Sequence, residues 1–348
     1  MAAARARPHP PRTGWPQGSA ATVSEVAEQD EGPAWSGTAL VVRGSEVLEE
    51  RALGRTAGAD SPACGPGSVF QACSISKLVV SAVVLALVEA GDLDLERPVT
   101  TWLDDLPARW SGITLHHLLS STSGLGHWGD VPGLPRLLTA PPPLDELLAL
   151  IAAAPPVTPP GAAWRYSGPG FLTATRVVDA VTGQPWATTA EILVLAPAGM
   201  TATRSGAAPA GPDLAVGHDH GRLRPLHPGF AAITGSGDLW TTAGDLVRLN
   251  QALRAGAVVS TRSAALLWTQ HAALPAGEPG GGPMTLTGYG YGTFLGHVRG
   301  HRARVNPGDM PGYETLLAHL PDQDLDLAVL CNEEPPSRDR ALAGLRLP

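Results

Sequence analysis

Phe70-Gln71-Ala72-Cys73-Ser74-Ile75-Ser76-Lys77-Leu78-Val79-Val80-Ser81-Ala82-Val83-Val84-Leu85-Ala86-Leu87-Val88-Glu89-Ala90-Gly91 is the stretch on which the fold turns. A serine at its start, an apolar interior and a glycine at its stop predict a helix over 74–90. Residues three apart share a helix face, so Ser74 and Lys77 are expected to be neighbours. A serine hydroxyl is a poor nucleophile without a base. Lysine can be that base only where burial suppresses its charge, since about four unperturbed amines in ten thousand are neutral at pH 7. The apolar flanks Val69, Phe70, Ala72, Cys73, Leu78, Val79 and Val80 supply such burial. Lys77 is also the only lysine in the chain, the other 23 basic residues being arginine. Ser-x-x-Lys arises by chance in many sequences, and the plain alternative is a capped helix with a solvated lysine, so the surrounding sequence decides.

Upstream, residues 1–20 are rich in Ala, Pro and Arg without periodicity and read as a disordered lead. Thr38–Arg43 and Glu46–Arg51 flank Gly44-Ser45 as two strands and a tight turn. Downstream, apolar spacing predicts helices at 113–119, 144–153 and 242–253. The chain then becomes β-rich at 289–298, 313–320 and 325–331, with Pro321-Asp322-Gln323-Asp324 as a turn. Strands at both ends with helices between predict an α+β fold. The expected architecture is an antiparallel sheet flanked by helices (21–91 and 286–348) plus a mainly helical domain (92–285). The Pro- and Gly-rich stretches 129–143, 154–161 and 274–283 are expected to rim a cleft.

Composition narrows the function classes. The 348 residues carry a net charge of −8, with 43% hydrophobic and 16% charged residues. An acidic chain without a basic patch is a poor nucleic-acid partner. No polybasic amphipathic stretch suggests a membrane surface. The apolar run 78–88 is about half a membrane span, and Pro8, Pro10, Pro11 and Pro16 follow the N-terminal arginines where a secretory h-region would stand. Cys64, Cys73 and Cys331 form no Cys-x-x-Cys pair, so neither a zinc site nor a disulfide framework is suggested. The expectation is a soluble, cytoplasmic protein that needs no cofactor and no metal. His218-Asp219-His220 with His227 reads as an exposed polar loop rather than a metal cluster. His116 and His117 read as helix-capping and lining residues, and His127-Trp128 as candidates for the cleft mouth. No Gly-x-Ser-x-Gly elbow occurs.

With Leu87-Val-Glu-Ala-Gly-Asp-Leu-Asp-Leu95 after it, the serine–lysine run resembles the start of the serine β-lactamase-like and penicillin-binding-protein-like superfamily, and within it the class C β-lactamase and esterase branch. Ile113-Thr-Leu-His-His-Leu-Leu-Ser-Ser-Thr-Ser-Gly-Leu125 is similar to that branch's segment ending His-Thr-Ser-Gly-Leu. Tyr166-Ser167-Gly168, after Pro160-Gly161, stands where the family has Tyr-x-Asn. Gly235-Ser-Gly-Asp-Leu-Trp-Thr-Thr242, Tyr289-Gly-Tyr-Gly292 and Asn306-Pro-Gly-Asp-Met-Pro-Gly-Tyr313 follow in family order, so the likeness covers about 35–335. The resemblance implies that Ser74 is acylated, that Lys77 helps deprotonate it, and that Tyr166 shuttles the proton, its phenolate supported by Lys77. It further implies an oxyanion hole of the Ser74 and Asp309 backbone N–H groups, the latter on a strand edge after Gly308.

Two departures bear on the substrate. Gly168 removes the side-chain amide that holds an acylamino group, and Asn306-Pro307-Gly308 replaces Lys-Thr-Gly or His-x-Gly, so the cation is lost; Asn306 keeps a hydrogen-bond donor. Arg302 and Arg304 are candidates to replace the charge. The departures weigh against a β-lactamase or DD-peptidase and favour an esterase, amidase or acyl-transfer role, on a small ester, amide or peptide substrate. An acyltransferase or peptide cyclase working on a carrier-bound acyl group, and a non-catalytic binding module on the same scaffold, are the alternatives.

Overall fold

The computed structural model describes residues 35–104, 106–134, 136–275 and 282–347. The 1–20 lead, and 276–281 of the 274–283 rim stretch, lie outside the described residues. From Trp35 onward the chain packs as one unit.

Eight strands make the main sheet: β1 (Gly37–Arg43), β2 (Glu46–Leu53), β3 (Ala272–Ala273), β4 (Met284–Tyr289), β5 (Phe294–Val298), β6 (His301–Met310), β7 (Tyr313–Leu320) and β8 (Leu325–Cys331). Their order is β2-β1-β8-β7-β6-β5-β4-β3, and every neighbouring pair is antiparallel. The first hairpin thus closes onto the last strand, as strands at both chain ends imply. The sheet also reaches back to Ala272, ahead of the β-rich region expected from 286.

Both faces of the sheet are covered, which explains why its central strands read as unbroken apolar runs. Leu40, Val42, Leu317, Ala328 and Leu330 face the helical side. Ala39, Val41, Leu316, Ala318, Leu327 and Val329 face Ala341, Leu342 and Leu345 at the C-terminus.

The labelled helices are α1 (Ser76–Ala90), α2 (Leu115–Leu119), α3 (Leu144–Ala153), α4 (Gly168–Thr182), α5 (Ala243–Ala255) and α6 (Ser337–Gly344). The helix α1 is apolar all round, and accordingly it is the buried core helix. Cys73–Ala90 is long and apolar enough by composition to cross a membrane, and here it lies mostly inside the protein. Gly91 stops it in the left-handed conformation at φ +82°, where a side chain would be strained. Thr242 caps α5 by accepting from the Asp245 N–H.

The sequence reading differs at two places. Tyr166-Ser-Gly-Pro-Gly170 reads as a turn, but Ser167 accepts from the Gly170 N–H at 3.0 Å and so starts α4 there. Pro169 in the first turn removes an N–H that has no helical partner anyway. Ser74 is not the cap of α1: it sits in a 3-10 turn, Cys73–Ile75, that runs into the helix.

Candidate active site

Ser74 is held by a small three-stranded sheet in which Leu239–Thr241 pairs with Phe70–Gln71 and with Arg204–Ser205. The Ala72 N–H donates to the Leu239 carbonyl at 2.8 Å, and the Gln71 side chain bonds both the Cys73 N–H and the Gly237 carbonyl. Cys73 adopts φ +53°, an unfavourable region for a non-glycine residue, and this kink turns Ser74 toward the cleft. The Cys73 thiol itself is buried, and burial pushes its pKa well up, so it is an inert neighbour. Ser74 is partly exposed while the residues on either side of it are buried.

Lys77 is 1% exposed, and its Nζ lies 3.0 Å from Ser74 Oγ. The same amine donates to the Ser236 carbonyl at 2.8 Å. No salt bridge reaches it among the described residues; burial therefore dominates and lowers its pKa to about 7, against a smaller opposing pull from the Asp238 carboxylate. At neutral pH roughly half of the molecules hold a free amine beside the serine.

Tyr166, placed by the cap of α4, brings its ring to 4.8 Å from Lys77 Nζ and hydrogen-bonds Ser74. Burial raises the phenol pKa more than the Ser74 bond lowers it. At neutral pH the resting phenol is thus neutral, beside an amine that is free in roughly half of the molecules. The expected lysine-supported phenolate is not this ground state, because desolvation penalises charge on both groups.

The strand side is built differently. The final part of β6, 306–310, runs past the end of its pairing with β5, leaving one edge facing the Ser74 turn. Pro307 is tolerated there because that edge needs no ladder N–H. A side chain at Gly308 would meet the Ser74 nitrogen at 2.9 Å and Cys73 Cβ at 2.6 Å, so only glycine lets the strand come this close. Asp309 is exposed, and its carboxylate is held by Arg338 of α6 at 3.2 Å. Asn306 is 5% exposed; its amide donates to the Gly292 carbonyl at 2.7 Å and to Thr293 Oγ1 at 3.2 Å, tying β6 to the turn between β4 and β5. Neither candidate cation takes its place: Arg302 pairs with Asp322, and the Arg304 guanidinium stacks 3.9 Å above the Trp268 ring.

The missing amide at Gly168 also leaves no vacancy. A Cβ there would lie 2.3 Å from Trp128 Nε1 and 2.6 Å from Ser236 Oγ. His127 stands at the cleft mouth, as its position before Trp128 suggests. Its Nδ1 accepts from the Gly168 N–H at 3.0 Å and its ring lies 5.5 Å from that of Tyr166. Burial and the nearby lysine lower its pKa to about 4, so the ring is neutral with its proton on Nε2.

Other candidate polar clusters lie elsewhere. Asp219 is paired with Arg224 at 3.1 Å, and the His227 ring packs on Phe230. His116 Nδ1 bonds the Tyr291 hydroxyl at 2.7 Å, and His117 completes the capping box of α2.

Comparisons with known proteins give the family and the fold. A family model described as Beta-lactamase matches residues 25–347. The chain belongs to the beta-lactamase family. Esterase EstB of Burkholderia gladioli is 37% identical over 179 residues, 47% of this chain and 45% of that protein, so the match spans less than half of the relative. Among solved structures, a penicillin-binding protein from Bacillus halodurans superposes with TM-score 0.75 at 25% identity, covering 89% of this chain and 94% of that one. The D-amino acid amidase of Ochrobactrum anthropi SV3 shares the fold at TM-score 0.75 and 20% identity, covering 88% and 95%. The α+β architecture with its antiparallel sheet is thus the family fold.

Two residues of the site carry no clear sequence signal: Ser236 acts through a backbone carbonyl, and Arg338 reaches β6 from a helix distant in sequence. Trp128, a candidate for the cleft mouth, fills the space beside Gly168.

Proposed function

We propose that this chain is a serine hydrolase that forms an acyl-enzyme on Ser74 and releases it to water, acting on a small uncharged ester or amide. The observation that carries the reading is the single buried amine of Lys77, 3.0 Å from Ser74 Oγ with its pKa lowered to about 7. One N–H stays on the Ser236 carbonyl, and the nitrogen lone pair takes the Ser74 hydroxyl proton as Oγ attacks the substrate carbonyl carbon. The resulting oxyanion is received by the Ser74 and Asp309 N–H groups across Gly308. Tyr166 gives its phenol proton to the leaving atom as the carbonyl–leaving-group bond breaks, and the Lys77 ammonium returns a proton to the phenolate. Water repeats the sequence in reverse and frees the acid.

The substrate class follows from what surrounds this machinery. Neither Arg302 nor Arg304 is free to meet a carboxylate, since both are engaged elsewhere, and the Asn306 amide is consumed inside the protein. The position of an acylamino-binding amide is filled by Trp128 and Ser236. Three free, buried cysteines support a reducing, cytoplasmic setting. Intact-mass spectrometry after treatment with an ethyl fluorophosphonate tests the reading. One adduct mapping to Ser74 and missing from Ser74→Ala is expected. A folded wild-type protein that takes no adduct would make the scaffold a binding module.

A further inference from the structure

Recognition on the open side of this cleft is built from rings. Trp164, Tyr166, Tyr289 and Phe294 form a closed set in which all pairwise centroid distances are 6.4 Å or less. Phe294 stacks on Tyr166 at 25°, and Trp164 tilts over both. Tyr289 is the buried floor, whereas Trp164, Tyr166 and Phe294 remain partly exposed beside Ser74. In a chain with only 5% aromatic residues, four rings gathered next to one serine is a strong concentration. Core packing accounts for the buried Tyr289, whereas Trp164 and Phe294 stay partly exposed at the edge of the ring set.

A second observation points the same way. Trp164 Nε1 is buried with no hydrogen-bond partner, an arrangement native proteins keep rarely. The charged groups nearby are committed to one another: Arg165 to Asp130 at 2.8 Å and Arg338 to Asp309 at 3.2 Å. The surface next to the catalytic phenol therefore offers flat apolar faces rather than a net charge.

We propose that Trp164 and Phe294 form a subsite for a flat, uncharged aromatic group on the leaving side of the substrate. The assignment to the leaving side rests on the acyl-enzyme reading, because the rings border Tyr166, which protonates the leaving atom in that reading. Ring–ring contacts of this geometry change binding by roughly 2- to 10-fold each.

Two ester pairs test it. In the first, the acyl group is acetyl and the alcohol is 2-naphthylmethanol or cyclohexylmethanol. In the second, the alcohol is methanol and the acid is 2-naphthylacetic or cyclohexylacetic acid. The wild type is expected to prefer the naphthyl member of the first pair by about ten-fold in kcat/KM, mostly through KM. That preference shrinks toward unity in Trp164→Leu and in Phe294→Leu, and the second pair shows none. Equal rates within the first pair, a ring preference confined to the second, or variants that slow both members alike would overturn the subsite. Folding of each variant is checked by thermal melting, and the wild-type comparison alone decides if a variant does not fold. Ser74 labelling by the ethyl fluorophosphonate, run in parallel, separates the two claims. Labelling without ring preference removes only the subsite, and absent labelling removes the acyl-enzyme reading beneath it.

Discussion

The two walls of the cleft are made on different principles. On the helix wall, Ser74, Lys77 and Tyr166 aim polar atoms at one point and keep almost no competing partners. On the strand wall, Asn306 turns its amide inward to Gly292 and Thr293 and the neighbouring charges neutralise each other, while at the start of α4 Gly168 is backed by Trp128. The lesson is that proton-transfer chemistry and substrate recognition can separate within one fold. In the proposed reading, the wall that moves protons keeps residues at the family's positions, while the wall that holds substrate is rebuilt from backbone and rings.

The sharpest way to break the comparison is on the helix wall. Lys77→Met removes the base while keeping an apolar stem, and Ser74 phosphonylation should slow by about 10²–10⁴-fold. Tyr166→Phe should leave phosphonylation closer to wild type but cut ester turnover by about 10²-fold, since leaving-group protonation is lost. Stopped labelling and steady-state assays separate the two effects. Equal losses in both variants would mean that the residues act as one inseparable unit.

The strand wall should answer in stability. Gly168→Asn drives a side chain into Trp128 and Ser236, an overpacking worth about 1–3 kcal/mol. Adding Trp128→Ala should recover part of that loss, so the double variant melts above the sum of the singles in a double-mutant cycle. Simple additivity would mean that the two side chains do not compete for one space. Asn306→Ala removes two buried hydrogen bonds and leaves the Gly292 carbonyl unpaired, a cost of about 1–3 kcal/mol by chemical denaturation. A smaller loss would place Asn306 on the cleft rather than in the frame.

The difference between the walls also explains what the sequence disclosed. Ser74 and Lys77 were legible because the i, i+3 relation is fixed by local helix geometry and the apolar flanks state their own burial. The alternating outer strands and the hairpin at Gly44-Ser45 were legible for the same local reason. Tyr166 and the edge around Gly308 came only from the resemblance to a known family, not from any local pattern. The start of α4 was hidden because Gly-Pro-Gly is written like a turn, and its helix depends on the Ser167 cap. The turning of Asn306 away from the cleft was hidden because it depends on where the β4–β5 turn lies, a tertiary fact. Likewise, no local pattern joins Trp164 to Phe294 across 129 intervening positions.

The central claim is that a neutral Lys77 activates Ser74, and the pH dependence of Ser74 phosphonylation tests it most directly. The folded amine titrates near 7, well below an exposed lysine, so it is protonated below that pH and free above it. The rate should therefore rise through about pH 7 and level off above it, with no fall until strongly alkaline pH because the phenol of Tyr166 is shifted upward. The Lys77→Met variant should lose this limb along with most of the rate. A wild-type rate that stays flat from roughly pH 5 to 9, or one whose limb survives in Lys77→Met, would contradict the account.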